Sequence, residues 1–300
     1  MPTTHYKESA CLKATILRLS RHAWLPPELL HLATEVTRLQ LAAAEDLSGA
    51  APLPLPQDAI AAPEAHCQGK ALLDTALFPY DAHAAARMWD ALLRLSSDME
   101  GPMGAAAQSV LASMKEEHGL NADAAFTACL SADERFFAQW EQRLPEAPAM
   151  ARFLAQASLT PWLEAATRQL AQWHNASSVW EFGVCPHCGS LPFMGQLRGK
   201  EGARWHICSF CRLAYRVPRL QCPVCLEKDT AKLHFFTTQS EAGYEVHVCE
   251  SCKNAIKLRD LREADSTDAL PALDDLDSLP LDLVARQQGY SRSTMSAWGF

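Results

Sequence analysis

Eight of the eleven cysteines in this 300-residue chain fall between residues 185 and 252, as four Cys-x-x-Cys pairs in a row. They are Cys185 and Cys188, Cys208 and Cys211, Cys222 and Cys225, and Cys249 and Cys252. One such knuckle lets two thiolates grip an ion from a single tight turn, and two knuckles complete a tetrahedral sulfur site. Four knuckles therefore predict two four-cysteine metal sites with all eight cysteines as ligands. Buried core cysteines have no reason to recur at this interval.

The order of the knuckles carries a second signal. Cys185-Pro186-His187-Cys188 leads to His206-Ile207-Cys208, and Cys222-Pro223-Val224-Cys225 leads to His247-Val248-Cys249. Both halves run C-P-x-C, then His-apolar-C-x-x-C, so the region is an internal repeat with its length difference in the connecting hairpin. Sequential pairing is the simplest arrangement: knuckles one and two on one metal, three and four on the other. A cross-braced pairing, one with three and two with four, is the alternative. Trp205 and Ile207 alternate with Arg204 and His206, and Val246 and Val248 with Glu245 and His247, which predicts strands. Each half then reads as two knuckles joined by a β-hairpin, the zinc-ribbon or rubredoxin-like arrangement. With four cysteines per site, His187, His206 and His247 are spare as ligands.

Disulfides would need an oxidising compartment. Residues Met1 to Glu8 lack the basic and apolar regions of a secretory signal, and no apolar run is long enough to cross a bilayer. The expectation is a cytoplasmic protein with reduced thiols holding two metal ions. Iron and zinc both suit four sulfurs. Glycine follows the second cysteine only in the first knuckle (Gly189), with Arg212, Leu226 and Lys253 in the others.

Charge bears on partners. Residues 180–262 carry 12 Lys and Arg against 8 Asp and Glu, with a basic run of Arg198, Lys200, Arg204, Arg212, Arg216 and Arg219. Ribbons of this kind can bind nucleic acid. Yet residues 1–179 are formally −7 and 263–300 formally −5, which disfavours a nucleic-acid partner. The arginines then balance the anionic metal sites or stay solvated. A thiol oxidoreductase using a free knuckle is a further class. No Walker loop, dinucleotide fingerprint, G-x-S-x-G elbow or H-E-x-x-H motif appears.

The expected fold class is α+β: a helical domain at 1–179, metal-binding modules at 180–219 and 220–262, and an acidic tail at 263–300. Helical spacing after Pro26-Pro27 runs through Leu29, Leu32, Val36, Leu39 and Ala43. Asp81 is placed to cap a helix carrying Trp89 and Leu92, and Asn121 or Asp123 to open another. Ser131 would start a helix with Phe136, Phe137 and Trp140, and Pro161 one that ends near His174. Ser48 to Pro63 is a proline-rich loop. Cys11, Cys67 and Cys129 are isolated and structural. The stretch from Asp265 to Asp282 is acidic with apolar interruptions and could dock as a short helix. The final Gly289-Tyr290-Ser291-Arg292 and Trp298-Gly299-Phe300 fit a packed tail or a partner contact equally.

Taken in order, the helical region, Cys185-Pro186-His187-Cys188-Gly189-Ser190-Leu191-Pro192, Cys208 and Cys211, Tyr215 to Cys222, Cys249 and Cys252, and Asp274-Asp275-Leu276 through Asp282 resemble the formate dehydrogenase accessory protein FdhE family. His187 stands where that family would have an apolar residue. The resemblance implies a cytoplasmic, non-enzymatic biogenesis factor that contacts the catalytic subunit of respiratory formate dehydrogenase before twin-arginine export. It also implies two rubredoxin-like modules able to hold iron, with the eight cysteines as ligands. A homodimer stays open.

Overall fold

The computed structural model describes residues 3–116, 119–175, 177–238, 241–264 and 269–299, with side chains from Ala10 onward. Met1, Asp265 and Phe300, which entered the expectations above, lie outside these. The chain is α+β, with helices in its first part and a sheet carrying two four-cysteine groups after it. It packs as two compact units that interleave along the sequence. One joins residues 1–18, 59–73 and 169–297, the other residues 19–58, 74–168 and 298–300. The first of these takes nearly all of α1 (Thr3–Leu19).

The all-helical unit contains α2 (Pro27–Gly49), and the short α3 (Pro63–Cys67) that follows it in the chain lies in the other unit. Then come α4 (Ala82–Ser97), α5 (Pro102–Ser113), α6 (Ala122–Leu130) and α7 (Glu134–Arg143), with most of α8 (Met150–Leu170). Prolines open α2 and α5, where a missing N–H costs nothing. Asp81 and Asn121 cap α4 and α6 through the amides of Ala84 and Ala124. Trp89, Leu92 and Leu93 of α4 are buried, and the rings of Trp89 and Phe126 meet edge to face at 5.9 Å. Two starts differ from expectation. Asp133, not Ser131, caps α7, because its carboxylate accepts from the amides of Arg135 and Phe136. Ser131 instead ends α6.

The second difference is at Pro161, which lies inside α8 rather than at its start. Proline has no N–H for the carbonyl four residues back, so Ala157 O loses its helical donor. Gln40 of α2 supplies one, with its Nε2 at 2.9 Å from that oxygen. A satisfied carbonyl lets the helix pass through the proline.

The other unit is built on one six-stranded sheet. Its strands are β1 (Pro192–Arg198), β2 (Ala203–Cys208), β3 (Ala214–Arg216), β4 (Leu233–Phe236), β5 (Tyr244–Cys249) and β6 (Ala255–Leu261), in the order β3-β2-β1-β6-β5-β4. Each repeat is thus an antiparallel meander of three strands, and β1 pairs β6 in parallel at the seam. Shifting β3-β2-β1 sideways by three strands lays it on β6-β5-β4, so the repeats are related by translation along the sheet. The hairpins β1–β2 and β4–β5 fall where the knuckle spacing requires them. The third strand of each repeat follows the second knuckle and goes beyond what that spacing predicts.

One apolar cluster that crosses both repeats contains Phe193, Met194, Ile207, Tyr244, Val246 and Val248, with Leu281 and Ala285 from a C-terminal helix. The acidic stretch forms α9 (Pro271–Asp277), and the helix that enters the cluster is α10 (Leu279–Gln287). From Pro271 onward the acidic stretch is therefore a folded part of this unit. Lys257 of β6 lies between Asp275 and Asp282 at 2.9 and 2.7 Å, and Arg292 pairs with the same two at 2.8 and 3.0 Å. Asp274 takes Arg259 and Arg18, and Asp277 takes Arg18 and the Tyr244 hydroxyl. Arg18 belongs to α1. Burial pushes the Asp274 carboxyl up; it pushes on Asp275 too, but Lys257 and Arg292 bring that one down.

The closing residues Tyr290 to Arg292 also pack. Ser291 exchanges backbone hydrogen bonds with Lys253 and Ala255 at 2.9 Å each, and Arg292 donates to Phe193 O. Among the described residues no helix is long and apolar enough to cross a membrane.

Candidate metal centres

All four knuckles share one local geometry. The amide of the first cysteine donates to the carbonyl five residues on: Cys185 to Ser190, Cys208 to Leu213, Cys222 to Glu227 and Cys249 to Asn254, at 2.8 to 3.0 Å. The residue after the second cysteine is left-handed in every case, with φ of 78° at Gly189, 60° at Arg212, 59° at Leu226 and 58° at Lys253. Glycine is therefore not what permits this turn; its hydrogen bonds hold a non-glycine residue there at about 1–2 kcal/mol of strain. The turn also aims amides at sulfur. Phe210 and Cys211 N lie 3.4 Å from Cys208 Sγ, and Val224 N lies 3.4 Å from Cys222 Sγ.

The sulfurs converge sequentially. Cys185, Cys188, Cys208 and Cys211 form one group and Cys222, Cys225, Cys249 and Cys252 the other, each with its sulfurs within 4.8 Å of one another. No described group mixes the two sets, so the cross-braced alternative is not adopted. Contacts of 3.6 Å (Cys185–Cys211), 3.4 Å (Cys188–Cys208), 3.5 Å (Cys222–Cys252) and 3.6 Å (Cys225–Cys249) are far longer than a disulfide. They are close to the edge of about 3.8 Å expected for a tetrahedron of sulfurs around zinc or iron.

The proton chemistry of the donors also fits a cation. Burial and the neighbouring thiols push Cys185 up; burial likewise leads at Cys211, which also ends high. Burial pushes against Cys188 as well, but hydrogen bonds from Cys185, Cys208, Cys211 and Ser190 bring it down. In the second group Cys225 goes down while Cys222 and Cys252 go up. Four thiols this close cannot all ionise unaided, and a bound divalent ion supplies the compensating charge. Either group could hold a metal ion.

Strand β2 is covered on both faces: Arg204, His206 and Ile207 are buried and Trp205 is half-buried. Arg204 donates to Arg219 O and Gln221 O at 3.2 and 3.0 Å, carrying its charge to the approach to Cys222, and burial lowers its pKa to about 10. Burial holds His206 well below the usual imidazole range, hence neutral. The basic run is largely engaged within the fold. Arg198 stacks on Trp205 and donates to Gln196, Arg212 covers the Phe193 ring, and Arg219 donates to Glu201 O.

One cluster had no sequence signal, because its members lie far apart in the chain. His66 Nδ1 is 2.8 Å from Lys70 O, its Nε2 is 2.9 Å from His174 Nδ1, and its ring stacks on Trp180. A carbonyl can only accept, so His66 Nδ1 carries the proton and His174 donates to Nε2. The neighbouring segment covers the first knuckle: the amides of Leu72 and Leu73 donate to Pro186 O and His187 O, both at 2.9 Å.

Fold and site together define a protein with a helical region and two consecutive ribbon-like four-cysteine modules fused into one sheet. Residues 184–219 match the model of the FdhE central domain, and residues 220–298 match that of the FdhE C-terminal domain. Residues 184–298 thus resemble the two FdhE domains in their order. The chain is 29% identical over 240 residues to the protein FdhE homolog of Cronobacter sakazakii, covering 78% of this chain and 71% of that protein. It is 28% identical over 248 residues to protein FdhE of Escherichia coli O1:K1, covering 79% and 72%. The crystal structure of the FdhE protein from Pseudomonas aeruginosa has the same fold, with a TM-score of 0.68 at 23% identity over 96% of this chain and 93% of that one.

Proposed function

We propose that this chain is a non-enzymatic accessory factor for biogenesis of formate dehydrogenase, acting in the cytoplasm on the catalytic subunit before that subunit's twin-arginine export. Similarity to both FdhE domain models supports the partner. The eight knuckle cysteines hold two metal ions, iron or zinc, as the proposed ligands. The observation that carries the metal reading is the convergence of two four-cysteine groups, one at the end of each repeat's hairpins. Small ribbons bury little apolar surface, so metal binding would supply much of their folding free energy. On this reading the metals set the shape of a docking surface, and no redox change at the ions is required.

The test is affinity purification of the tagged chain from anaerobic cells that express formate dehydrogenase. The expected result is co-purification of the catalytic subunit, lost when Cys208 and Cys249 are both changed to serine. Failure of the metal-loaded chain to retain that subunit would contradict the proposal.

A further inference from the structure

We infer that the two four-cysteine centres are unequal, and that the second is a ligand-exchange site at which an incoming thiolate displaces Cys225. This rests on the metal reading above. All four sulfurs of the first centre belong to buried residues, whereas in the second Cys225 is exposed and Cys252 half-buried. The repeats have the same knuckle geometry, so the difference comes from what covers them.

Over the first knuckle lies the segment Ala71 to Leu73. Leu72 and Leu73 are each 1% exposed, and their amides close on Pro186 O and His187 O. Ala71 Cβ would sit only 3.5 Å from a methyl group placed on Gly189. At the corresponding stretch of the second repeat, Pro223 and Val224 receive no such backbone donor among the described residues. Val224 and Leu226, which flank Cys225, are 39% and 41% exposed. The open sulfur thus has an apolar rim.

A sealed sulfur exchanges only after local opening of its cover, whereas an open one permits direct substitution. In the exchange the incoming sulfur bonds to the metal, the bond from Cys225 Sγ breaks, and Cys225 takes up the proton that the incoming thiol releases. The oxidation state of the ion is unchanged, so no oxidant or reductant enters. The apolar rim suits a cysteine flanked by apolar residues in a protein segment better than a charged small thiol.

The experiment uses the full chain loaded with two metals and carrying Cys67→Ser, which removes an exposed cysteine outside the knuckles. Metal release to a chromophoric chelator is followed with glutathione in one arm and a leucine-flanked cysteine peptide in the other. Brief N-ethylmaleimide pulses, mapped by mass spectrometry, show which sulfur reacts first. The expected result is two phases of one metal each, at least tenfold apart, with the fast phase accelerated by thiol and Cys225 labelled first. Cys208→Ser should remove only the slow phase, and the labelling order needs no variant. A faster response to glutathione keeps the exchange site but assigns it to small thiols. Release of both metals at one rate, or first labelling within residues 185–211, would overturn the inference alone. Fewer than two metals at the outset would overturn the metal reading beneath it.

Discussion

His174 shows how a single side chain becomes dependent on its setting. Burial and the adjacent His66 lower its pKa to about 4, and its Nε2 is buried without a hydrogen-bond partner. Protonation would therefore place an N–H where nothing accepts it. An unfolded histidine binds its proton near pH 6.5, so between pH 6.5 and 4 the unfolded state holds more protons than the folded one. The contribution is present above pH 6.5 and is lost as pH falls through that window. Because His174 is only half-buried, solvent reduces the effect to about 1–2 kcal/mol. Denaturant titrations at pH 7.5 and 5 should show the wild-type chain losing that much more stability than His174→Gln; equal losses would contradict the burial argument. At this scale the two cysteine groups were legible because a knuckle is a local motif. The His66–His174 contact was not, since its partners are 108 residues apart.

Among the elements, α8 teaches most about what a residue signal means. A proline reads as a helix start because an unsatisfied carbonyl normally forbids it elsewhere, and Gln40 removes that objection from another helix. Gln40→Leu should cost about 1–3 kcal/mol by leaving Ala157 O buried and unpaired. In a Pro161→Ala chain, whose restored amide serves that carbonyl, the same change should be close to neutral. Double-mutant denaturation measures the coupling, and purely additive effects would show that Gln40 acts otherwise. Strand β2 makes a similar point. Alternation locates the strand but does not reveal that both of its faces are covered, Arg204 being satisfied by carbonyls of a later segment. The hairpins were legible from the distances between knuckles. The parallel seam of β1 and β6 was not, as nothing local marks which strands will meet.

Across the molecule, charge pattern proves a poor guide to burial. The acidic stretch reads as one that could dock through its apolar residues, yet its carboxylates Asp274, Asp275 and Asp277 are also among the most buried polar residues. Their cations come from α1, β6 and the closing residues, so the network could be seen only once the chain had folded. The helical region, the α+β class and the two cysteine groups were all evident beforehand, each resting on short-range periodicity or spacing. What joins the repeats into one sheet is long-range: the pairing of β1 with β6, and the packing of Phe193, Met194 and Ile207 in one cluster with Tyr244, Val246 and Leu281. The two centres remain the point on which the functional proposal depends. Elemental analysis of the anaerobically purified chain tests them most directly. Two equivalents of iron or zinc per chain are predicted, falling to one in Cys208→Ser and one in Cys249→Ser; a metal-free, folded chain with all eight knuckle thiols titratable would contradict the assignment.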